Sequence, residues 1–202
     1  LLPANVRRAI WVDCDLLVLK DIGELWETDL HGRALGAVQD AVVPFVSSRC
    51  GIAQHAKLGM DAAAKYFNAG VMLVDVDAWR SRAVPQKAID YLKAHQSSVV
   101  FWDQEGLNVA LADNWTELDE RWNQNVSVPR LRRRSTHAPA IVHFAGSIKP
   151  WRFRTADESR RLYYGYLDRT AFAGWRPPRS VSGALVSLYE ESGLRTLIYP
   201  AE

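Results

Sequence analysis

Short apolar runs broken by acidic residues and glycines set the rhythm of this chain, and they predict strands and helices in alternation. Ala9-Ile10-Trp11-Val12 reads as a buried strand ending at Asp13, and Leu16-Leu17-Val18-Leu19 is a second apolar stretch just beyond Asp15. Asp21 and Glu24 have the spacing of an acidic relative of the capping box, which predicts a short helix through Leu25 and Trp26. Ala34 to Val38 reads as a strand ending near Asp40. The segment from Val43 to Met60 has no clear period and contains Pro44, Gly51 and Gly59, so it reads as a loop with room for a short helix and as a candidate lid.

Val71-Met72-Leu73-Val74 is strongly strand-like, and a helical pattern runs from Ala78 to about His95, interrupted at Pro85. Asp103 opens a further helix in which Leu107, Ala110 and Leu111 share a face; Asp103 itself is a good N-cap. Arg121 to Asn125 reads as loop, Ala140-Ile141-Val142 as a strand ending on His143, and the chain beyond Trp151 turns basic and aromatic. This alternation predicts an α/β protein, in which ligands collect beyond the carboxyl ends of strands, where Asp13 and Asp15 fall.

Composition narrows the picture. A chain of 202 residues, 48% hydrophobic and 24% charged, supports one sizeable core. No stretch approaches the roughly 20 apolar residues of a membrane-spanning helix. A net charge of +2 does not imply nucleic-acid binding. The cluster of Arg130, Arg132, Arg133, Arg134, Lys149, Arg152 and Arg154, with no acid until Asp157, nonetheless predicts an anionic partner. Cys14 and Cys50 form neither a disulfide framework nor a zinc spacing, so a reducing compartment is expected, with Cys14 a small buried side chain. The early acidic motif after Leu1-Leu2-Pro3 reads like that of a fragment.

Candidate chemistry begins with Asp13 and Asp15. At a strand-to-turn boundary, carboxylates at i and i+2 either cap the turn or share one cation. His143 is either a hydrogen-bonded structural residue or a third ligand. Two carboxylates, an imidazole and two diphosphate oxygens would suit octahedral Mn²⁺, with Mg²⁺ the alternative. After His143, Gly146 permits close backbone approach and Lys149 offers a point charge, together suiting a phosphate; the plain alternative is a surface turn. Asn68, Asp103 and Gln104 can hydrogen-bond sugar hydroxyls or serve as local caps. Trp102, Trp115 and Trp122 read as core residues, one of which could stack on an acceptor ring; His31, His55, His95 and His137 read as ordinary.

In order along the chain, Trp11-Val12-Asp13-Cys14-Asp15, Asp21-Ile22-Gly23-Glu24-Leu25-Trp26, Tyr66-Phe67-Asn68-Ala69-Gly70-Val71-Met72-Leu73, Asp103-Gln104 and His143-Phe144-Ala145-Gly146 through Lys149-Pro150-Trp151 form a set. The set resembles glycosyltransferase family 8, which includes bacterial lipopolysaccharide galactosyl- and glucosyltransferases and the glycogenins. The resemblance implies a GT-A-like mixed sheet flanked by helices, without the family's usual amino-terminal nucleotide-binding segment. It implies a catalytic domain over 1–154 and a basic, aromatic extension over 155–202.

It also implies transfer of galactose or glucose from a UDP-sugar to a saccharide or lipid-linked saccharide acceptor, with retention of configuration. Asp13, Asp15 and His143 would hold Mn²⁺, and Gly146 and Lys149 the diphosphate. Asp40, Asn68, Asp103 and Gln104 would contact the donor sugar, Asp103 and Gln104 nearest the reacting carbon. Glutamine is a poor nucleophile, so a same-face displacement is expected rather than a carboxylate-bound intermediate. A cytoplasmic location, peripheral contact with the inner face of the membrane and self-association through uncovered sheet edges follow as expectations. Two rivals are a noncatalytic scaffold of the same fold and a haloacid-dehalogenase-like phosphatase, whose nucleophile motif also pairs a strand with Asp-x-Asp.

Overall fold

A computed structural model describes residues 2–112, 114–126, 138–146, 149–151 and 158–177. The chain forms two compact units, the first comprising Leu1–Asn125 and Arg130–His143, the second Val126–Pro129 and Phe144–Glu202. Most of the arginine cluster (Arg130, Arg132, Arg133, Arg134, Arg152, Arg154), His137 and the tail from 178 lie outside the described residues.

The first unit is built on two small sheets. Strand β1 (Arg8–Val12), β3 (Leu35–Gln39), β4 (Phe67–Asp75) and β5 (Trp115–Glu117) form one, in the order β1-β4-β3-β5. Strand β2 (Leu16–Val18), β6 (Gln124–Asn125) and β7 (Ile141–His143) form the other, in the order β2-β7-β6. Both sheets are mixed: β4 runs antiparallel to β1 and β3, β3 parallel to β5, β2 antiparallel to β7, and β6 parallel to β7. Helices α1 (Gly23–Trp26), α2 (Val76–Ser81), α3 (Val84–Ala94) and α4 (Trp102–Ala110) complete it.

The nine-residue strand β4 is buried along nearly its whole length, which explains its unbroken apolar run. Its neighbour β1 is not the buried strand its sequence predicts. Among the described residues β1 pairs only with β4, and Trp11 is 54% exposed. An apolar run reports side-chain preference and not the number of paired neighbours. Cys14 is exposed, because it sits at the turn between β1 and β2 rather than within a strand.

Pro85 does restart the helix: α2 ends at Ser81, Ala83 takes a left-handed conformation, and the proline occupies the first turn of α3. At α1 the cap is shifted. Asp21 Oδ1 accepts the Gly23 N–H at 2.8 Å, but the N-cap position belongs to Ile22 and makes no side-chain cap bond. The segment expected to be a lid carries its own small core, in which Val43, Val46 and Ile52 pack with Tyr66 and Tyr91.

Helix α4 starts one residue before the expected Asp103, at Trp102, so Asp103 is not its N-cap; Phe101 takes that place without a cap bond. Trp102 is no core residue: it is 62% exposed and holds a left-handed backbone with φ of 39°. Trp122 is buried as predicted, and Trp115 packs edge-on against Phe67 with ring centres 5.3 Å apart. Behind Trp102 the fully buried carboxyl of Glu105 accepts the Tyr91 hydroxyl at 2.6 Å and the Val100 N–H at 3.0 Å, fixing the entry into α4. Burial pushes the Tyr91 phenol well above its ordinary value, and its bond to Glu105 acts in the same direction.

Truncating Glu105 leaves the buried Tyr91 hydroxyl and the partly buried Val100 N–H without their acceptor. Glu105→Ala is expected to lower the unfolding free energy by about 3 kcal/mol. A urea melt showing a loss below about 1 kcal/mol would refute that account.

In the second unit, α5 (Glu158–Leu167) carries an aromatic face on which Tyr163 meets Phe144 and Trp151, with ring centres 5.8 and 5.2 Å apart. Ser159 Oγ donates to the Val126 carbonyl, and the Tyr164 hydroxyl to that of Pro150. Asp168 pairs with Arg176 at 2.7 Å, which holds its carboxyl down at about 2. No helix among the described residues is long and apolar enough to cross a membrane.

Candidate metal and sugar-donor site

The turn Asp13-Cys14-Asp15 joins the two sheets of the first unit, and strand register explains why a distant histidine meets it. Val12 pairs with Val71, after which the Asp13 N–H donates to the Gly70 carbonyl at 2.9 Å. Leu16 pairs with His143, so Asp15 enters β2 beside the last residue of β7. The outcome is a cluster of Asp13, Asp15 and His143 whose ligand atoms all lie within 4.8 Å of one another.

His143 Nε2 stands 3.3 Å from Asp15 Oδ1 and 3.7 Å from Asp13 Oδ2. Ligand atoms of one first-row divalent ion lie about 2.0–2.2 Å from it, so adjacent ligands are roughly 3 Å apart, and the observed separations are of that size. Burial is graded, with side-chain exposures of 4% for His143, 14% for Asp15 and 41% for Asp13, leaving the cluster open on the Asp13 side. Trp11 Nε1 donates to Asp13 Oδ1 at 3.2 Å and orients that carboxylate. Oxygen and imidazole donors converging in this way fit Mn²⁺ or Mg²⁺ better than a thiophilic ion.

The predicted sugar-contacting residues Asp40, Asn68 and Gln104 are brought together by hydrogen bonds. Asp40 Oδ2 accepts from Asn68 Nδ2 at 2.9 Å and from Gln104 Nε2 at 3.2 Å, while its Oδ1 accepts the N–H groups of Val42 and Val43. Gln104 Oε1 takes the Ala69 N–H at 3.0 Å, which fixes the carboxamide at both ends. Buried Tyr66 adjoins it, although the hydroxyl makes no well-formed hydrogen bond there. Burial pushes this phenol well above its ordinary value, opposed by the nearby Gln104. Asp103 is exposed in the first turn of α4, outside this network.

A bulge in β4 makes room for the cluster. Between Ala37 and Val38 the pairing with β3 shifts, so Ala69, Gly70 and Val71 have no β3 partner. Gly70 is required there by space: a Cβ would lie 2.2 Å from His143 Cε1 and 2.7 Å from Nδ1. The sequence also leaves Asn108 and Asn123 unmarked, although both are buried. Asn108 clamps the Phe67 backbone through Oδ1 and Nδ2, each at 2.9 Å. Asn123 lies between His143 and Asn68, and only its place after the apolar Trp122 hinted at burial.

In the second unit Gly146 has φ of +87°, a conformation that needs glycine, and Lys149 Nζ donates to the Phe144 carbonyl at 2.7 Å.

A family model described as glycosyl transferase family 8 matches residues 1–155. The chain belongs to this family. The match removes the phosphatase alternative. General stress protein A of Bacillus subtilis (strain 168) is 35% identical over 183 residues, which are 82% of this chain and 60% of that protein. Glycosyltransferase GlyF of Streptococcus pneumoniae serotype 4 is 30% identical over 168 residues, 80% of this chain and 38% of its own length. The chain thus spans less than two thirds of the length of these curated relatives.

Among solved structures, the galactosyltransferase LgtC in complex with donor and acceptor sugar analogs superposes with a TM-score of 0.64 at 25% identity, covering 89% of this chain and 65% of that one. An LgtC active-site mutant with glutamine changed to glutamate gives the same TM-score at 26% identity, covering 80% and 61%. The α/β architecture of mixed sheets and helices is therefore that of GT-A glycosyltransferases.

Proposed function

We propose that this chain is the catalytic part of a retaining hexosyltransferase that moves galactose or glucose from a UDP-sugar to a saccharide acceptor. The acceptor is lipid-linked or surface glycan, lipopolysaccharide being the model case, reached from the cytoplasmic side of the membrane. The observation that carries this reading is the convergence of Asp13, Asp15 and His143 in a chain of family 8.

In this reading the three side chains hold Mn²⁺. When bound, the cation supplies positive charge to the diphosphate of the departing UDP. By resemblance to family 8, Gly146 and Lys149 would offer a backbone turn and an ammonium to a diphosphate. Asp40 has both oxygens engaged, so it acts on the sugar by orienting Asn68 and Gln104. The exposed Asp103 remains available to sugar hydroxyls.

Gln104, with its carboxamide fixed at both ends, is assigned the place nearest the reacting carbon in this reading; that LgtC has an active-site glutamine supports the role. A carboxamide does not form a stable glycosyl ester. The acceptor hydroxyl oxygen therefore bonds to the anomeric carbon on the face from which the UDP oxygen departs, and a diphosphate oxygen takes the hydroxyl proton.

Calorimetric titration of UDP with and without Mn²⁺, followed by a screen of UDP-sugars for hydrolysis, tests the reading. Tight binding only with Mn²⁺ is expected, together with hydrolysis of UDP-galactose or UDP-glucose. UDP binding that is absent or indifferent to Mn²⁺ would favour a noncatalytic scaffold.

A further inference from the structure

The orientation of Asn123 can be read from its neighbours without assuming any ligand. The Gly70 N–H, a donor by necessity, points at Asn68 Oδ1 at 2.9 Å, and Asn68 Nδ2 faces the Asp40 carboxylate. The atom of Asn68 facing Asn123 is thus an acceptor, so the Asn123 atom 2.8 Å from it must be the amide nitrogen. Asn123 then turns its oxygen to His143 Nδ1, also at 2.8 Å, and that nitrogen must carry hydrogen. In the neutral ring the lone pair is left on Nε2, which faces Asp13 and Asp15. One backbone amide thereby dictates, through two asparagines, which nitrogen of the histidine faces the carboxylates.

We propose that Asn123 is the positioning residue of the metal centre: it sets the tautomer and ring angle of His143 and joins the cation end of the site to its sugar end. The proposal rests on the reading of Asp13, Asp15 and His143 as ligands. The unbroken path is His143, Asn123, Asn68, Asp40, Gln104. Asn123 suits this duty because it is buried and rigidly placed. It closes the 3₁₀ turn Glu120–Asn123, whose start is capped by Asp119 Oδ1 on the Arg121 N–H. The next two residues, Gln124 and Asn125, pair with Val142 and His143. The backbones that present the two side chains are therefore zipped together.

Outer partners of metal-bound histidines change metal affinity by about 10- to 100-fold when removed. Electron paramagnetic resonance with Mn²⁺ alone measures this in the full chain without nucleotide. Asn123→Ala is expected to bind Mn²⁺ about 10- to 100-fold more weakly than the unsubstituted chain. Asn123→Asp keeps an acceptor for Nδ1 but loses the donor to Asn68. It is expected to hold Mn²⁺ at least as well as the unsubstituted chain while its turnover on a UDP-sugar falls.

Should Asn123→Ala fail to fold, the ¹⁵N spectrum of His143 in the unsubstituted chain decides. Hydrogen on Nδ1 supports the proposal, and the Nε2–H tautomer overturns it. Unchanged Mn²⁺ affinity in a folded Asn123→Ala, with loss in Asp15→Asn, would overturn the role of Asn123 and spare the ligand assignment. No Mn²⁺ binding by the unsubstituted chain would remove that assignment and this proposal together.

Discussion

Gly70→Ala is expected to disable the site although the substitution adds only one methyl group. The new Cβ would stand 2.2 Å from Cε1 and 2.7 Å from Nδ1 of His143, and 3.0 Å from Asn68 Oδ1. The imidazole has no room to retreat, because Asn123 holds its Nδ1 edge and the ring is buried. Either the ring swings and Nε2 loses its aim, or β4 shifts and the Asp13 N–H loses the Gly70 carbonyl. Overpacking of this kind costs about 1–3 kcal/mol of stability. The functional loss is expected to be larger, with Mn²⁺ affinity and sugar transfer each down by about two orders of magnitude or more, since loss of the histidine's aim removes a ligand as well as its outer partner. Mn²⁺ titration beside a thermal melt checks this. Unchanged Mn²⁺ binding in a folded Gly70→Ala would show that His143 does not serve the cation.

Asp15→Asn should separate activity from stability in the opposite sense. The amide is nearly isosteric with the carboxylate but donates where an ion needs an acceptor. Losing the electrostatic contribution of the ion, worth several kcal/mol, lowers transfer by about 10³-fold. In metal-free solution the same change relieves repulsion between carboxylates gathered at one point, so Tm should stay level or rise. Adding Mn²⁺ should raise the Tm of the unsubstituted chain through binding to the folded state and leave that of Asp15→Asn unmoved. A variant that still gains Tm with Mn²⁺ would contradict the ligand assignment.

The elements most legible in the sequence were those with an unambiguous period or a breaker: β4, the pair α2 and α3 separated at Pro85, and the strand ending on His143. The grouping of Asp13, Asp15 and His143 was also legible, although each residue alone had a structural reading, because the motifs that carry them occur in the order of those in family 8. What escaped were properties that depend on distant partners. Nothing local tells that β1 has one paired neighbour, or that Cys14 and Trp102 face solvent. Glu105 and Asn108 lie off the apolar face of their helix and Asn123 in a stretch read as loop; each is buried where a remote group receives it. Asp40 was marked for the sugar, yet its bonds to Val42 and Val43 show a second duty as a loop cap.

Where β4 departs from β3, the sheet leaves the amides of Ala69 and Gly70 without a strand partner, and the side chains of Gln104 and Asn68 accept them. The residues read as serving the sugar thus also mend a tear in the weave. A lineage that drifted toward inactivity could not discard them cheaply, since each loss would strand a main-chain donor in the interior. Asp13, on the rim, accepts the Trp11 indole rather than a main-chain amide, so erosion of the catalyst would begin there, and persistence of Asn68 and Gln104 in a relative would testify to its architecture before its chemistry.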